Sequence, residues 1–250
     1  MAGDAQNWFD EGGGAYARHR PDYPEALAGF LAKAAPDARL AIDVGCGNGQ
    51  FTRQLADHFD AIVGFDPSAD QIAHAAPHPR IRYEVAPAER LGAEDGSVSL
   101  ITAAQAAHWF NLPRFYAEAR RVAMPGAVIA LISYGVAQLE PELNGRFRTF
   151  YHDEIGPYWP PERKLVDTGY ANIDFPFQSL PAPDLSIVRS WSADAFLGYI
   201  STWSAFRHAR KNGKDHMLAD FSRDMLALWG DPAAAHQIIW PINMRLGVIE

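Results

Sequence analysis

The chain has 250 residues, 48% hydrophobic and 21% charged, with 22 basic against 30 acidic side chains and a net charge of −8. That is enough apolar material for one sizeable core, and the acidic balance argues against a surface that wraps nucleic acid. Cys46 is the single cysteine, which excludes an internal disulfide or a CxxC metal site and gives no sign of an oxidising compartment. The start "MAGDAQNWFDEGG" lacks the basic and apolar regions of a leader, and no run approaches the roughly 18 apolar residues of a membrane span. The expectation is a cytoplasmic protein with no membrane, nucleic-acid or metal partner.

In chain order, "PEALAGFLAKAA" (24–35) predicts a helix opening on Pro24, with Leu27, Phe30 and Leu31 on one face. Five apolar runs of strand length follow: "RLAIDV" (39–44), "AIVGF" (61–65), "IRYEV" (81–85), "VSLITAA" (98–104) and "AVIALIS" (127–133). Helical patterns separate them. Phe51, Leu55 and Phe59 recur every fourth residue, "SADQIAHAA" (68–76) opens on a capping serine, and "LPRFYAEARRV" (112–122) aligns Phe115, Ala119 and Val122. Such alternation predicts βαβ units and a parallel sheet covered on both faces.

After residue 134 the alternation stops, and residues 140–236 become rich in aromatics and helical patterns. "LSIVRSW" (185–191) and "QIIWPINMRLGVI" (237–249) can return to the sheet as late strands. The expected organisation is a single domain over residues 1–250. It comprises an N-terminal helical segment (1–36), a ligand-binding core (37–134), a helical and aromatic cap with a late strand (135–236) and a C-terminal strand (237–250).

The stretch "DVGCGNG" (43–49) places Gly45, Gly47 and Gly49 directly after the first strand. In an open α/β sheet ligands sit outside the carboxyl ends of the strands, so glycines here mark close backbone approach. No Lys-Ser or Lys-Thr follows, which excludes a P-loop, and Gln50 stands where a dinucleotide fingerprint needs its last glycine. Asp43, two residues before the loop, is a poor neighbour for a pyrophosphate and a good one for a cation. Asp66 in "GFDPS" (64–68) ends the second strand, where an acid can accept ribose hydroxyls. "APAERL" (86–91) and "AAQAAHWF" (103–110) close the third and fourth strands.

Together "DVGCGNG", "GFDPS", "APAERL" and "AQAAHWF" resemble, in order and spacing, the class I S-adenosylmethionine-dependent methyltransferases, type 11 small-molecule group. The flanking "YARHRPDYP" (16–24) and "YISTWSAF" (199–206) resemble the trans-aconitate methyltransferase-like branch. The resemblance implies an α/β, doubly wound Rossmann-like fold. Its seven-stranded, mostly parallel sheet would carry a helical cap insertion and an antiparallel last strand. It implies S-adenosyl-L-methionine as cofactor, with Gly45, Cys46 and Gly47 on the methionine portion and Asp43 near its amino group. Asp66 would hold the ribose hydroxyls, Pro67 and Ser68 would flank the adenosine, and Ala88 and Glu89 would border the adenine. Gln105 would face the sulfur, Tyr16 and Arg20 would fold over the site, and His108, Trp109, Trp203 and Arg207 would meet the acceptor.

Plainer readings compete. Asp43 can be a strand-end cap, Asp66 a helix N-cap, Cys46 a packing residue and Glu89 a solvated helix start. His108 can be a structural histidine, the aromatics of 151–206 core, and Arg146, Arg148, Arg207 and Arg210 solvated charges. An acceptor carboxylate is already ionised and needs no base, whereas a phenol or amine would call on His108 as the catalytic base. "QAAHWF" (105–110) lacks the Asn/Asp-Pro-Pro-aromatic stretch of nucleic-acid amino methylases, so a small-molecule acceptor is expected, an organic acid by the branch resemblance. A nicotinamide-dependent oxidoreductase and a non-catalytic cofactor-binding protein are the rival functions.

Overall fold

The computed structural model describes residues 19–250. Helix α1 (Glu25–Ala34) follows Pro24 and buries Leu27, Ala28 and Leu31. Strands β1 (Leu40–Val44), β2 (Ala61–Asp66), β3 (Ile81–Val85), β4 (Val98–Ala104) and β5 (Ala123–Tyr134) form a parallel sheet in the order β3-β2-β1-β4-β5. β1 and β4 are buried almost throughout, as strands covered on both faces must be. The chain runs outward from β1 to β2 and β3, then crosses back to β4, so a crevice opens beyond the carboxyl ends of β1 and β4.

Helices α2 (Gln50–Leu55), α3 (Ala69–Ala73) and α4 (Leu112–Val122) make the crossovers. α4 starts where the Asn111 side chain accepts the Arg114 N–H at 3.3 Å. It buries the predicted stripe of Phe115, Ala119 and Val122, together with Tyr116. Each of its larger apolar side chains contributes on the order of 1.5–3 kcal/mol on burial.

β8 (His236–Val248) returns antiparallel to β5, from Val128↔Val248 to Tyr134↔Ile242. Its first half extends past β5 and pairs with β7 (Ser186–Trp191), and two-residue β6 (Gln178–Ser179) joins its far end. The sheet therefore has eight strands rather than the seven expected. The physical reason is the length of β8: at 13 residues it outruns its β5 partner, and the overhanging N–H and C=O groups need a second strand.

The cap between β5 and β8 contains α5 (Pro141–Thr149), α6 (Arg163–Asp167), α7 (Ala193–Ser201), α8 (Ser204–Lys211) and α9 (Asp215–Trp229). Phe150 stacks on Phe221 with ring centroids 3.7 Å apart, and Phe147 packs against Tyr151, Phe196 and Trp203. This aromatic layer shares one core with α1, α2 and one face of the sheet, while α4 covers the other face. Among the described residues no helix is long and apolar enough to cross a membrane.

Candidate functional site

The glycine loop leaves β1 with Gly45, Gly47 and Gly49 at φ +70°, +55° and +80°, backbone that side-chain-bearing residues rarely adopt. The N–H groups of Gly45 and Cys46 donate to the Phe65 carbonyl at 2.7 and 3.0 Å. A Cβ on Gly45 would collide with Ala106, and one on Gly49 with the Tyr83 hydroxyl. At Gly47 a Cβ would meet nothing nearer than Gln71 Oε1 at 3.5 Å, so that glycine leaves its space to the crevice.

Asp66 knots this loop to the next helix. Its Oδ2 accepts the Gly47 N–H at 2.8 Å, and its Oδ1 accepts the Ser68 N–H at 2.8 Å. The N-cap of α3 is Ser68, whose hydroxyl accepts the Gln71 N–H at 3.3 Å. Asp43 is 1% exposed behind the loop. The Thr52 hydroxyl donates to its Oδ2 at 2.6 Å and the Thr102 hydroxyl to its Oδ1 at 2.8 Å. Burial outweighs those two bonds and, with the nearby Asp66 charge, pushes the Asp43 carboxyl up to about 6. A cation in the crevice would reverse that. Burial and the same two carboxylates push the Cys46 thiol well above its ordinary value, which makes it a packing atom rather than a nucleophile.

A cavity of about 370 Å³ occupies the crevice. Asp43, Gly45, Cys46, Gly47, Asp66, Pro67, Ala88, Glu89 and Gln105 line it, and so does Trp109, expected on the acceptor side, while Ser68 is buried and outside the lining. Tyr23, Asn48, Gln50, Gln71, Phe110 and Tyr134 line it without having been singled out. Glu89 is anchored, its Oε1 accepting the Asn111 N–H at 2.8 Å. Three buried polar atoms in this wall, Asn48 Nδ2, Gln71 Oε1 and Gln105 Oε1, have no partner among the described residues. Buried groups of that kind call for an external partner. Gln105 sits at φ +55° without being glycine, a strain tolerated mainly at working sites. Glycine-lined, acidic and supplied with unmatched hydrogen-bonding groups, the cavity fits S-adenosylmethionine, a cation that carries hydroxyls and an amide-like base edge.

A smaller hollow of about 40 Å³ adjoins it, sharing Gln105 and Trp109 and adding Arg20, His108, Trp159, Pro160, Arg163 and Ser204. Arg20 thus lines the second hollow rather than the large cavity, with Nη1 donating to the Tyr134 hydroxyl at 2.8 Å. Arg163 donates through Nε to the Tyr151 hydroxyl and to Asp167, each at 3.0 Å, and its guanidinium lies 4.5 Å from the centroid of the Trp159 ring. His108 Nδ1 stands 2.9 Å from the Tyr170 hydroxyl.

Other predicted residues are placed elsewhere. Trp203 is buried in the aromatic core, its ring 5.1 Å behind Trp159, and lines neither cavity. Arg207 lies on α8 with Nη1 bonded to the Thr202 carbonyl at 3.4 Å, also outside both linings. Arg146 is tied to Glu154 and Asp224 within the cap. Tyr16 lies outside the described residues. Arg163 and Trp159 come from "YWPPERK" (158–164), a segment without helical or strand periodicity. Its paired prolines next to aromatics and charges were the signal available.

Residues 42–131 match a family described as a methyltransferase domain. The chain is 35% identical over 242 residues to a Dictyostelium discoideum protein named as a methyltransferase, covering 94% of this chain and 92% of that one. A Saccharomyces cerevisiae protein named as an S-adenosylmethionine-dependent methyltransferase is 26% identical over 82% of this chain and 83% of its own. A solved structure from Anaeromyxobacter dehalogenans, described as a type II methyltransferase, superimposes with a TM-score of 0.85. Its identity is 46%, over 92% of this chain and 98% of that one. Fold, site and relatives agree, and the chain belongs to the class I S-adenosylmethionine-dependent methyltransferases.

Proposed function

We propose that the protein methylates a small organic acid on a carboxylate oxygen, with the acid seated in the hollow between His108, Trp109 and Arg163. One observation carries this reading. The hollow opens onto the cofactor cavity through Gln105 and Trp109, and its described lining includes two guanidinium groups and no carboxylate. Guanidinium is the natural bidentate partner of a carboxylate. The resemblance of "YISTWSAF" to the trans-aconitate branch supports the same class of acceptor.

When bound, S-adenosylmethionine supplies an electrophilic methyl group on a positively charged sulfur. The chain's own contribution is to hold and to exclude. Asp66 would accept the ribose hydroxyls, with Pro67 beside the adenosine, Ser68 supporting it from behind the wall as the cap of α3, and Ala88 and Glu89 at the adenine. The loop Gly45, Cys46 and Gly47, backed by Asp43, would receive the methionine portion. Gln105 stands at the junction of the two cavities, so its amide can set the angle between the reactants. Alignment of this kind can lower a barrier by roughly 7–11 kcal/mol. Trp109 and Trp159 keep the junction apolar, and Arg20 and Arg163 balance the charge of the acceptor. Trp203 would act by bracing Trp159, and Arg207 through the start of α8.

The test is transfer of a labelled methyl group across a panel of small carboxylic acids, phenols and amines. Ester formation on an acid is the expected result. Turnover confined to phenols or amines would overturn the carboxylate reading and leave the methyltransferase assignment intact.

A further inference from the structure

The identity of the proton on His108 follows from its surroundings. The Tyr170 hydroxyl lies 2.9 Å from His108 Nδ1, and no other described hydrogen bond reaches that phenolic oxygen. A buried phenolic O–H needs an acceptor, and Nδ1 is the one described within reach, so the proton Tyr170 owns is donated to Nδ1. Nδ1 is then an acceptor, and a neutral ring must carry its hydrogen on Nε2. Tyr170 is 0% exposed and sits at φ +60°, so it is held in this place by the fold.

We propose that Tyr170 fixes His108 as a neutral Nε2–H donor, so that His108 positions the methyl acceptor in the second hollow and does not deprotonate it. This rests on the carboxylate reading for its chemistry, in which no base is required. A carboxylate oxygen forms the new bond to the methyl carbon while the carbon–sulfur bond breaks and its electron pair stays on sulfur. One negative and one positive charge vanish together, and no proton is released.

The rest of the hollow agrees. Trp159 has a buried Nε1–H with no partner among the described residues. Arg163 uses Nε on Tyr151 and Asp167, and no described hydrogen bond uses its two terminal nitrogens. Arg20 and the Ser204 hydroxyl complete a wall dominated by donors, which suits a ligand that offers only acceptors. The charged groups facing His108 are Arg163 and Arg20, and both act with burial to pull its pKa down to about 3. Protonating Nδ1 would in addition break the Tyr170 bond.

Nitrogen-15 NMR of the full-length protein labelled at histidine reads the tautomer directly, with His108→Gln identifying the ring's signals among the nine histidines. The expected spectrum has Nε2 protonated and Nδ1 bare, unchanged between about pH 5 and 8. In Tyr170→Phe the Nδ1 partner is lost, so both tautomers should appear. A parent protein whose His108 carries its hydrogen on Nδ1, or titrates between about pH 5 and 8, overturns the proposal, whatever the fate of the variant. With an acid acceptor, kcat should be level over about pH 6–8. His108→Gln, which keeps an N–H donor, should hold KM within severalfold, while His108→Ala raises it roughly tenfold or more. A kcat that falls equally in both variants would mark a base and sink the idea. The tautomer is read without any acceptor, so its failure is distinguishable from failure of the carboxylate reading.

Discussion

At the scale of single residues the two buried acids have different tasks. Asp66 already accepts two backbone N–H groups, so Asp66→Ala removes ligand contacts and loosens the loop together. Bonds to a charged group are worth on the order of 1.5–3 kcal/mol, so cofactor affinity should fall roughly tenfold to a hundredfold by calorimetry. Equal affinity in variant and parent would take Asp66 out of the site. Gly47→Val should fold normally and bind no cofactor, because its φ of +55° resists a β-branched residue and the side chain would enter the cavity. Normal binding by that variant would reduce the loop to a turn. Arg163→Gln tests the second hollow, with KM for an acid acceptor expected to rise at least tenfold while cofactor affinity holds. Loss of both together would point to collapse of the cap instead.

Among the elements, β1, β2, β4 and β5 were legible in the sequence because each contains a dense apolar run that the fold buries, whereas β3, at the sheet edge and only partly buried, was marked mainly by its place in the alternation. The α4 stripe at Phe115, Ala119 and Val122 was legible for the same reason, since burial of one helix face imposes its period. The cap was legible only as aromatic and helical. Its pairings, such as Phe150 on Phe221, join residues distant in the chain, and local periodicity carries no record of them. Phe221→Ala should cost about 3–5 kcal/mol of stability by opening a cavity under α5 and α9. Chemical denaturation measures this, and a loss below about 1 kcal/mol would show that the stack is not part of the stabilising core.

For the whole molecule, cofactor binding and Asp43 are linked through pH. The folded-state pKa of Asp43 is about 6 against an unfolded value near 3.9, so the folded protein binds that proton more tightly. The ligand-free protein therefore loses stability as pH rises between about 4 and 6, and the penalty is complete above that. His108, held neutral with a pKa of about 3, acts in the opposite sense, costing stability as pH falls below about 6.5. The difference between parent and Asp43→Asn isolates the acid. The variant should melt higher than the parent at pH 7.5 without ligand and gain less from S-adenosylmethionine. The parent should gain about 2.7 kcal/mol at a hundredfold excess over Kd. A variant that melts lower without ligand would mean that Asp43 is held mainly by Thr52 and Thr102 as a structural acceptor.

The sequence by itself determined the parallel core and the position of the large cavity beyond β1 and β4. Both depend on features local in the chain: apolar runs, the turns that end them, and Asp43, Gly47 and Asp66 at strand ends where the fold type puts ligands. Tertiary structure alone decided the second hollow. Arg163 and Trp159 reach the hollow from an irregular cap segment, Arg20 from the entry to α1, and His108 from the end of β4, where the distant Tyr170 meets its Nδ1. Spacing along a chain cannot encode which of several arginines will be drawn into one cavity. That choice is made when the aromatic cap packs on the sheet, leaving Arg146 tied to Glu154 and Asp224 and Arg163 facing the site.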